Sequence, residues 1–346
     1  MEKSPDKWVV FYASCGEGHK KIAYGLKERF NIPAYDILDY CPPFFKLFYS
    51  EGYNFIIQKA IFLWKILFNL SKNRFFLKFI YLWHRIIFKK FLKFLSSSGF
   101  EVIISTHFFI PPLVGLLKKK KSLKNMVIIT DFGVHPIWKE KNVDLYFVAF
   151  PQTKDELAQL GAEKDKIVVS GFPLREGFFK KIDKEKLKRK FFPENKKEIL
   201  LFFNYGKNIP FLKKAIAELK KDFNIIVIYG KNKIKEIDES LKLISYYEKI
   251  WELMAISLLI VTKPGGVTSF EALFLKKPLI IPHFILGQEE ENFKFLEKLE
   301  VAFRVNSVFE LIEKIYYVKN NYSSILKRFP SLSEATEIIK EKIEKL

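Results

Sequence analysis

The chain has 346 residues, 49% of them hydrophobic and 28% charged, a balance that excludes disorder and supplies enough apolar side chains for two domains with separate cores. Lys and Arg number 59 against 39 Asp and Glu, a net charge of +20, which calls for an anionic partner: nucleic acid, an acidic membrane surface or a phosphorylated ligand. Two cysteines, Cys15 and Cys41, make no disulfide framework, so a reduced, cytosolic setting is expected.

The polar start, Met1 to Lys7, carries no secretory pattern, and no charge-free apolar run reaches the roughly 20 residues that cross a bilayer. Trp8 to Ala13 reads as the first strand and Ser14-Cys15-Gly16-Glu17-Gly18-His19 as the turn after it. From Lys20 to Phe30 the apolar residues Ile22, Ala23, Leu26 and Phe30 recur at helical spacing. His19 then stands at a helix start, where the dipole disfavours protonation and keeps the imidazole able to accept a proton. It suits a general base; equally, it suits a cap or a loop contact.

Residues 44–95 combine Phe44, Phe45, Phe48, Phe55, Phe62, Phe68, Phe75, Phe76, Phe79, Phe88, Phe91 and Phe94 with ten lysines and arginines, and Glu51 is the one acidic residue among them. Aromatic and aliphatic residues on one side of a helix with basic ones on the other lie well in a membrane interface, cations near anionic headgroups. Part of this stretch must instead be core, because a helix on a sheet needs an apolar side. Stacking aromatics in a basic groove would also suit single-stranded nucleic acid, but no nucleic-acid motif is present and that partner is disfavoured.

Glu101 to His107, Met126 to Asp131, Leu145 to Ala149 and Ile167 to Ser170 read as further strands. A helix around Leu113 to Leu117 ends in four lysines, Lys118 to Lys121, which suit a helix C-terminus and an anionic surface. Strand ends that present His, Thr and Asp, among them Asp131 and the following His135, suggest one crevice lined from several loops; loop capping would use the same residues. Arg175 offers a guanidinium fork to phosphate oxygens, or a surface ion pair. A basic helix spans Ile182 to Phe192, and Ile199 to Phe203 and Ile225 to Gly230 are strands.

The most informative stretch is Leu258-Leu259-Ile260-Val261, a buried parallel strand, followed by Thr262-Lys263-Pro264-Gly265-Gly266 and a helix from Thr268, with Thr268 or Ser269 as N-cap. A strand, a glycine turn and a helix N-terminus leave backbone N–H groups converging at the positive end of a dipole, a seat for phosphate. Gly265, Gly266, Val267 and Thr268 would form it. Glu271, one turn in, could accept hydrogen bonds from ribose hydroxyls, as acidic residues do in dinucleotide folds, or merely offset the dipole. After the strand Pro278 to Pro282, the loop His283 to Asn292 opens another helix, and Gln288, Glu289 and Asn292 suit sugar hydroxyls. The closing helices, Val308 to Val318 and Leu332 to Leu346, are amphipathic.

These motifs carry a resemblance. Gly16-Glu17-Gly18-His19 with Ala23 and Leu26, Thr130-Asp131 with His135-Pro136-Ile137-Trp138, Gly171-Phe172-Pro173-Leu174-Arg175, Thr262 to Gly266 with Glu271-Ala272, and Gly287-Gln288-Glu289 with Asn292 resemble the GT-B glycosyltransferases that include diacylglycerol glucosyl- and galactosyltransferases (monogalactosyldiacylglycerol synthases) and MurG-type enzymes. The resemblance implies an α/β GT-B fold, two Rossmann-like domains facing each other across a cleft: residues 1–172 for acceptor and membrane, 173–330 for the nucleotide-sugar donor, and 331–346 as a helix packing back on the first domain. It implies transfer of a hexose from a UDP-sugar to a lipid hydroxyl, that of diacylglycerol first, at the cytoplasmic face of the cell membrane, with no cofactor and no metal. His19 would be the base and Asp131 an acceptor-side residue. Arg175, Gly265, Gly266, Val267, Thr268, Glu271, Gln288, Glu289 and Asn292 would hold the donor. N-acetylglucosamine transfer to a polyprenyl-linked acceptor, a GT-B epimerase, and a non-catalytic nucleic-acid-binding protein on the same scaffold are the alternatives. One departure stands out: relatives carry a glycine-rich loop after the second domain's first strand, where this chain has Asn204-Tyr205-Gly206-Lys207-Asn208, with less backbone freedom for close approach to a ligand.

Overall fold

A computed structural model describes residues 5–14, 16–49, 70, 73–193, 197–203, 209–230, 241–284, 287 and 289–346. The chain divides into two compact units, one of residues 1–176 with 332–346 and one of residues 177–331.

In the first unit six parallel strands lie in the order β2-β1-β3-β4-β5-β6, with β1 Trp8–Tyr12, β2 Ala34–Asp36, β3 Val102–Ser105, β4 Lys124–Ile128, β5 Leu145–Val148 and β6 Ile167–Val169. All five residues of β1 are buried, because helices cover both faces of a parallel sheet and leave no side for alternating polar residues. Trp8 meets Phe30 of α1 (Glu17–Phe30) at a ring spacing of 5.6 Å. On the other face Phe11 meets Phe91 of α4 (Lys89–Ser97) at 4.9 Å. Strand order reverses between β1 and β3, and the carboxyl ends flanking such a switch point are where open α/β sheets bind ligands.

Helices α2 (Pro43–Leu47) and α3 (Arg74–Ile87) precede α4, and α5 (Ile110–Leu117) follows β3; α6 (Pro151–Gln159), α7 (Lys184–Phe191), α8 (Ile209–Leu219) and α9 (Ile250–Ile256) come later in the chain. Within the Phe/Lys-rich region Phe88 and Phe91 are core, whereas Phe44, Leu47, Phe48, Leu82, Trp83 and Ile86 are exposed. Phe55, Phe62 and Phe68, and the side chains of Phe75, Phe76 and Phe79, lie outside the description. Among the described residues no helix is long and apolar enough to cross a membrane.

One glycine of α1 has no room for a side chain. A Cβ on Gly25 would lie 2.3 Å from the Pro173 carbonyl oxygen, backbone that cannot rotate away. Gly25→Ala is therefore expected to destabilise this unit by about 1–3 kcal/mol, the usual cost of overpacking, and thermal denaturation should show a midpoint several degrees lower.

The second unit has six parallel strands in the order β12-β11-β10-β7-β8-β9: β7 Glu198–Phe203, β8 Phe223–Ile228, β9 Leu241–Ile244, β10 Ser257–Val261, β11 Leu279–Ile281 and β12 Ala302–Arg304. Counted within the unit this is the doubly wound order, with its switch point between β7 and β10. The glycine turn follows β10 and therefore stands at that point.

Several elements differ from the sequence expectations. The short strands β2, β9 and β12 were not expected, since three or four residues carry too little pattern. Helix α1 starts at Glu17 rather than Lys20. The helix after the glycine turn, α10 (Gly266–Phe274), starts two residues before Thr268, with Gly265 as N-cap and no side-chain cap bond. Thr268 and Ser269 are not caps; they lie inside the first turns.

Candidate active site

In the first unit the site grows from the ends of β1, β3 and β4. Thr106, just past β3, donates its hydroxyl to the His19 carbonyl at 3.0 Å, while the His19 ring nitrogen Nδ1 lies 2.5 Å from the Thr106 carbonyl. This reciprocal pair ties the first turn of α1 to the end of β3. A carbonyl oxygen only accepts, so Nδ1 bears the proton and Nε2 is left with its lone pair, an assignment made from the bonding pattern. Thr130 Oγ1 lies 3.2 Å from the same Nδ1 and, by that assignment, accepts as well.

His19 is half-buried, and loss of solvation pushes its imidazole down to about 4, against the opposing pull of the Thr106 carbonyl. The sequence attributed its neutrality to the helix dipole; the structure makes burial the larger cause. His107 packs edge-on to it at 4.7 Å. Burial holds His107 well below 6.5, with His19 and His84 adding to the effect. Its Nδ1 accepts from the Phe109 amide at 3.3 Å, which places the His107 proton on Nε2.

Asp131 is half-buried, one residue past Thr130. His135 caps the turn Pro136–Trp138, its Nδ1 accepting from Ile137 N at 3.2 Å. The capping alternative therefore describes this histidine. Arg175 is half-buried near the end of the unit's first segment.

In the second unit the turn before α10 is open on one side: a Cβ built on Gly265 meets nothing within 4 Å. Gly266 and Val267 are buried and Thr268 is half-buried. Ser269 is fully buried, and its Oγ makes no hydrogen bond. Glu271 is 1% exposed and Asn292 is fully buried. Lys263 reaches across to Glu289, Nζ to Oε1 2.5 Å, the carboxylate side chain being 5% exposed. This ion pair joins the loop after β10 to the loop before α11 (Glu290–Lys298). His283 stands in the same electrostatic neighbourhood: burial lowers its pKa, Glu289 opposes and Lys263 reinforces. Gln288 and the loop 204–208 lie outside the described residues. Among the described residues no cluster of His, Cys, Asp and Glu could hold a metal ion.

Residues 19–174 match the family model described as monogalactosyldiacylglycerol (MGDG) synthase. A processive diacylglycerol beta-glucosyltransferase of Bacillus cereus (strain B4264) is 28% identical over 345 residues, covering 91% of this chain and 85% of that protein. In sequence the chain is similar to the diacylglycerol glycosyltransferases, and its fold is that of the GT-B glycosyltransferases. Among solved structures, the calicheamicin glycosyltransferase CalG4 superposes with a TM-score of 0.68 at 11% identity, over 98% of both chains. MurG of Acinetobacter baumannii gives 0.59 at 12% identity, over 99% of this chain and all of that one. At such identities these two show the fold alone.

Three residues of the chain went unassigned in the sequence reading. Lys263 lies within the motif without a role there, and its partner is 26 residues away, beyond any local spacing rule. His107 read only as a polar strand end. His84 sits seven residues after the buried Leu77 and four before the buried Phe88, so its spacing reads as core; a histidine at an inward helix position was the available signal.

Proposed function

We propose that this glycosyltransferase moves a hexose from a UDP-sugar to the free hydroxyl of diacylglycerol, giving a glycosyldiacylglycerol. The observation that carries the reading is the His19 arrangement. Its Nδ1 is committed to the Thr106 carbonyl, so its Nε2 is a neutral base at a sheet switch point. The acceptor oxygen attacks the anomeric carbon, the bond from that carbon to the diphosphate oxygen breaks, and the hydroxyl proton passes to Nε2. UDP leaves with the electron pair, and a single displacement inverts the anomeric centre. Asp131 lines the acceptor side.

The N-terminus of α10 stabilises charge on the departing diphosphate, with Gly265, Gly266, Val267 and Thr268 supplying the seat. Glu271 takes the ribose hydroxyls. Gln288, Glu289 and Asn292 orient the sugar, Glu289 being held in place by Lys263. Transfer of radiolabel from UDP-glucose or UDP-galactose into organic-extractable product, with anionic liposomes containing diacylglycerol, tests the reading; UDP binding without product from either donor rejects the lipid acceptor.

The first unit supplies a surface for the membrane's cytoplasmic face. Phe44 and Leu47 of α2, Phe48 at its C-cap, and Leu82, Trp83 and Ile86 of α3 are each more than half exposed, with Lys46, Arg85, Lys89, Lys90 and Lys93 exposed nearby in sequence. Each basic residue near an anionic surface contributes about 1 kcal/mol, and each inserted apolar side chain about as much or more. Replacing Leu82, Trp83 and Ile86 together by serine is expected to reduce retention on anionic vesicles at least about tenfold, measured by cosedimentation; unchanged retention would move the surface elsewhere.

A further inference from the structure

His84 is a buried group of the first unit that neither packing nor the transfer step accounts for. It lies on α3 and is 6% exposed, while Leu82, Trp83 and Ile86 of the same helix are more than half exposed. Its Nδ1 is enclosed and makes no hydrogen bond. Its ring contacts are Phe109 at 4.4 Å and Phe88 at 5.9 Å. An enclosed polar atom with no partner lowers stability, and a leucine would fill such a place without that cost. Burial holds the imidazole neutral, its pKa down at about 4, so it is a hydrogen-bonding group without charge. The position is also connected to the base. Phe109 stands 4.5 Å from His107, and His107 stands 4.7 Å from His19. A continuous run of rings thus extends from the base to the helix with the exposed apolar side.

We infer that His84 recognises the lipid acceptor, its Nδ1–H donating a hydrogen bond to an acyl ester carbonyl while the glycerol hydroxyl meets Nε2 of His19. The inference rests on the proposed lipid transfer. A diacylglycerol carries one hydroxyl and two ester groups, and everything else on it is hydrocarbon. The hydroxyl is taken by the base. A second imidazole in an apolar surround close by has only an ester oxygen left to meet. Ester oxygens accept and do not donate, so the proton must stand on Nδ1, which a neutral ring allows. The bond would fix the glycerol against rotation and bring its hydroxyl to the base in one pose.

The test compares wild type, His84→Leu and His84→Asn with two acceptors in mixed micelles: a diacylglycerol and a dialkylglycerol, whose ether oxygens are weak acceptors. His84→Leu is expected to raise KM for the diacylglycerol about tenfold, the order of one lost hydrogen bond, with KM for the UDP-sugar unchanged. His84→Asn, whose side-chain N–H takes the place of Nδ1–H, should recover most of the loss. With the dialkylglycerol, wild type and His84→Leu should have equal KM. Equal KM values with the diacylglycerol, or an equal loss with both acceptors, overturns the assignment while leaving lipid transfer intact. A wild-type enzyme that glycosylates neither acceptor overturns the lipid reading and the His84 assignment with it.

Discussion

His19→Ala is expected to lower kcat by about 10²–10⁴, the range that a positioned general base supplies, with the KM for the UDP-sugar little changed. His19→Gln should fare no better, since an amide keeps the bulk of the side chain but offers no basic lone pair. The pH profile separates this base from an ordinary solvated histidine. A general base works only while unprotonated, so kcat/KM falls on the acid side of its pKa in the free enzyme. With the imidazole pushed from 6.5 to about 4, activity should persist well below pH 6.5. An acid limb at 6.5 would show that His19 is solvated in the working enzyme, and near-normal turnover of His19→Ala with saturating lipid would remove it from the mechanism.

The same burial sets a limit on acid stability. His84 has its folded pKa lowered to about 4, and His107 lies well below 6.5. Between those values and 6.5 the unfolded chain binds protons that the folded chain refuses. Stability is therefore fully present above 6.5 and is lost as pH falls through the folded values. The window of stable, active enzyme should narrow from the acid side through unfolding before the base itself is titrated.

How much of this was legible in the sequence depended on whether the signal was local. The strand, glycine turn and helix around Gly265 were legible because a continuous apolar strand, two glycines and a helical repeat fall within about a dozen residues. His19 was legible as a helix-start histidine, but not its tautomer, which is set by a carbonyl 87 residues away. Helix starts were misread at Glu17 and Gly266 for one reason. Both helices have a glycine N-cap with no side-chain cap bond: at α10 the Ser/Thr cue pointed inward of the true boundary, and at α1 the glycines around Glu17 read as a turn. The Phe/Lys-rich stretch was read as membrane face or core, and its described residues divide between exposed Phe44 and Phe48 and buried Phe88 and Phe91. Composition could not make that division, because it follows from which side of each helix meets the sheet.

Breaking the Lys263–Glu289 pair is the second large expectation. Lys263→Met should destabilise the second unit by about 2–3 kcal/mol, because it takes the Lys263 cation away from the nearly enclosed Glu289 carboxylate. This lies below the roughly 3–5 kcal/mol usual for fully buried pairs, since Lys263 itself is 30% exposed and its charge is partly screened. Affinity for UDP-sugar should fall at least tenfold in the same variant, since the pair ties the glycine-turn loop to the sugar-side loop. Stability and binding then come apart in the double variant Lys263→Met with Glu289→Leu. An apolar pair of similar bulk removes the stranded charge and should restore most of the stability, yet it supplies no group for a sugar hydroxyl, so donor binding stays weak. Urea denaturation and calorimetric titration with the UDP-sugar measure the two quantities separately. Restored binding in the double variant would assign the pair to scaffold alone; unrestored stability would mean that the loops depend on the ion pair itself and not merely on the absence of an unpaired carboxylate.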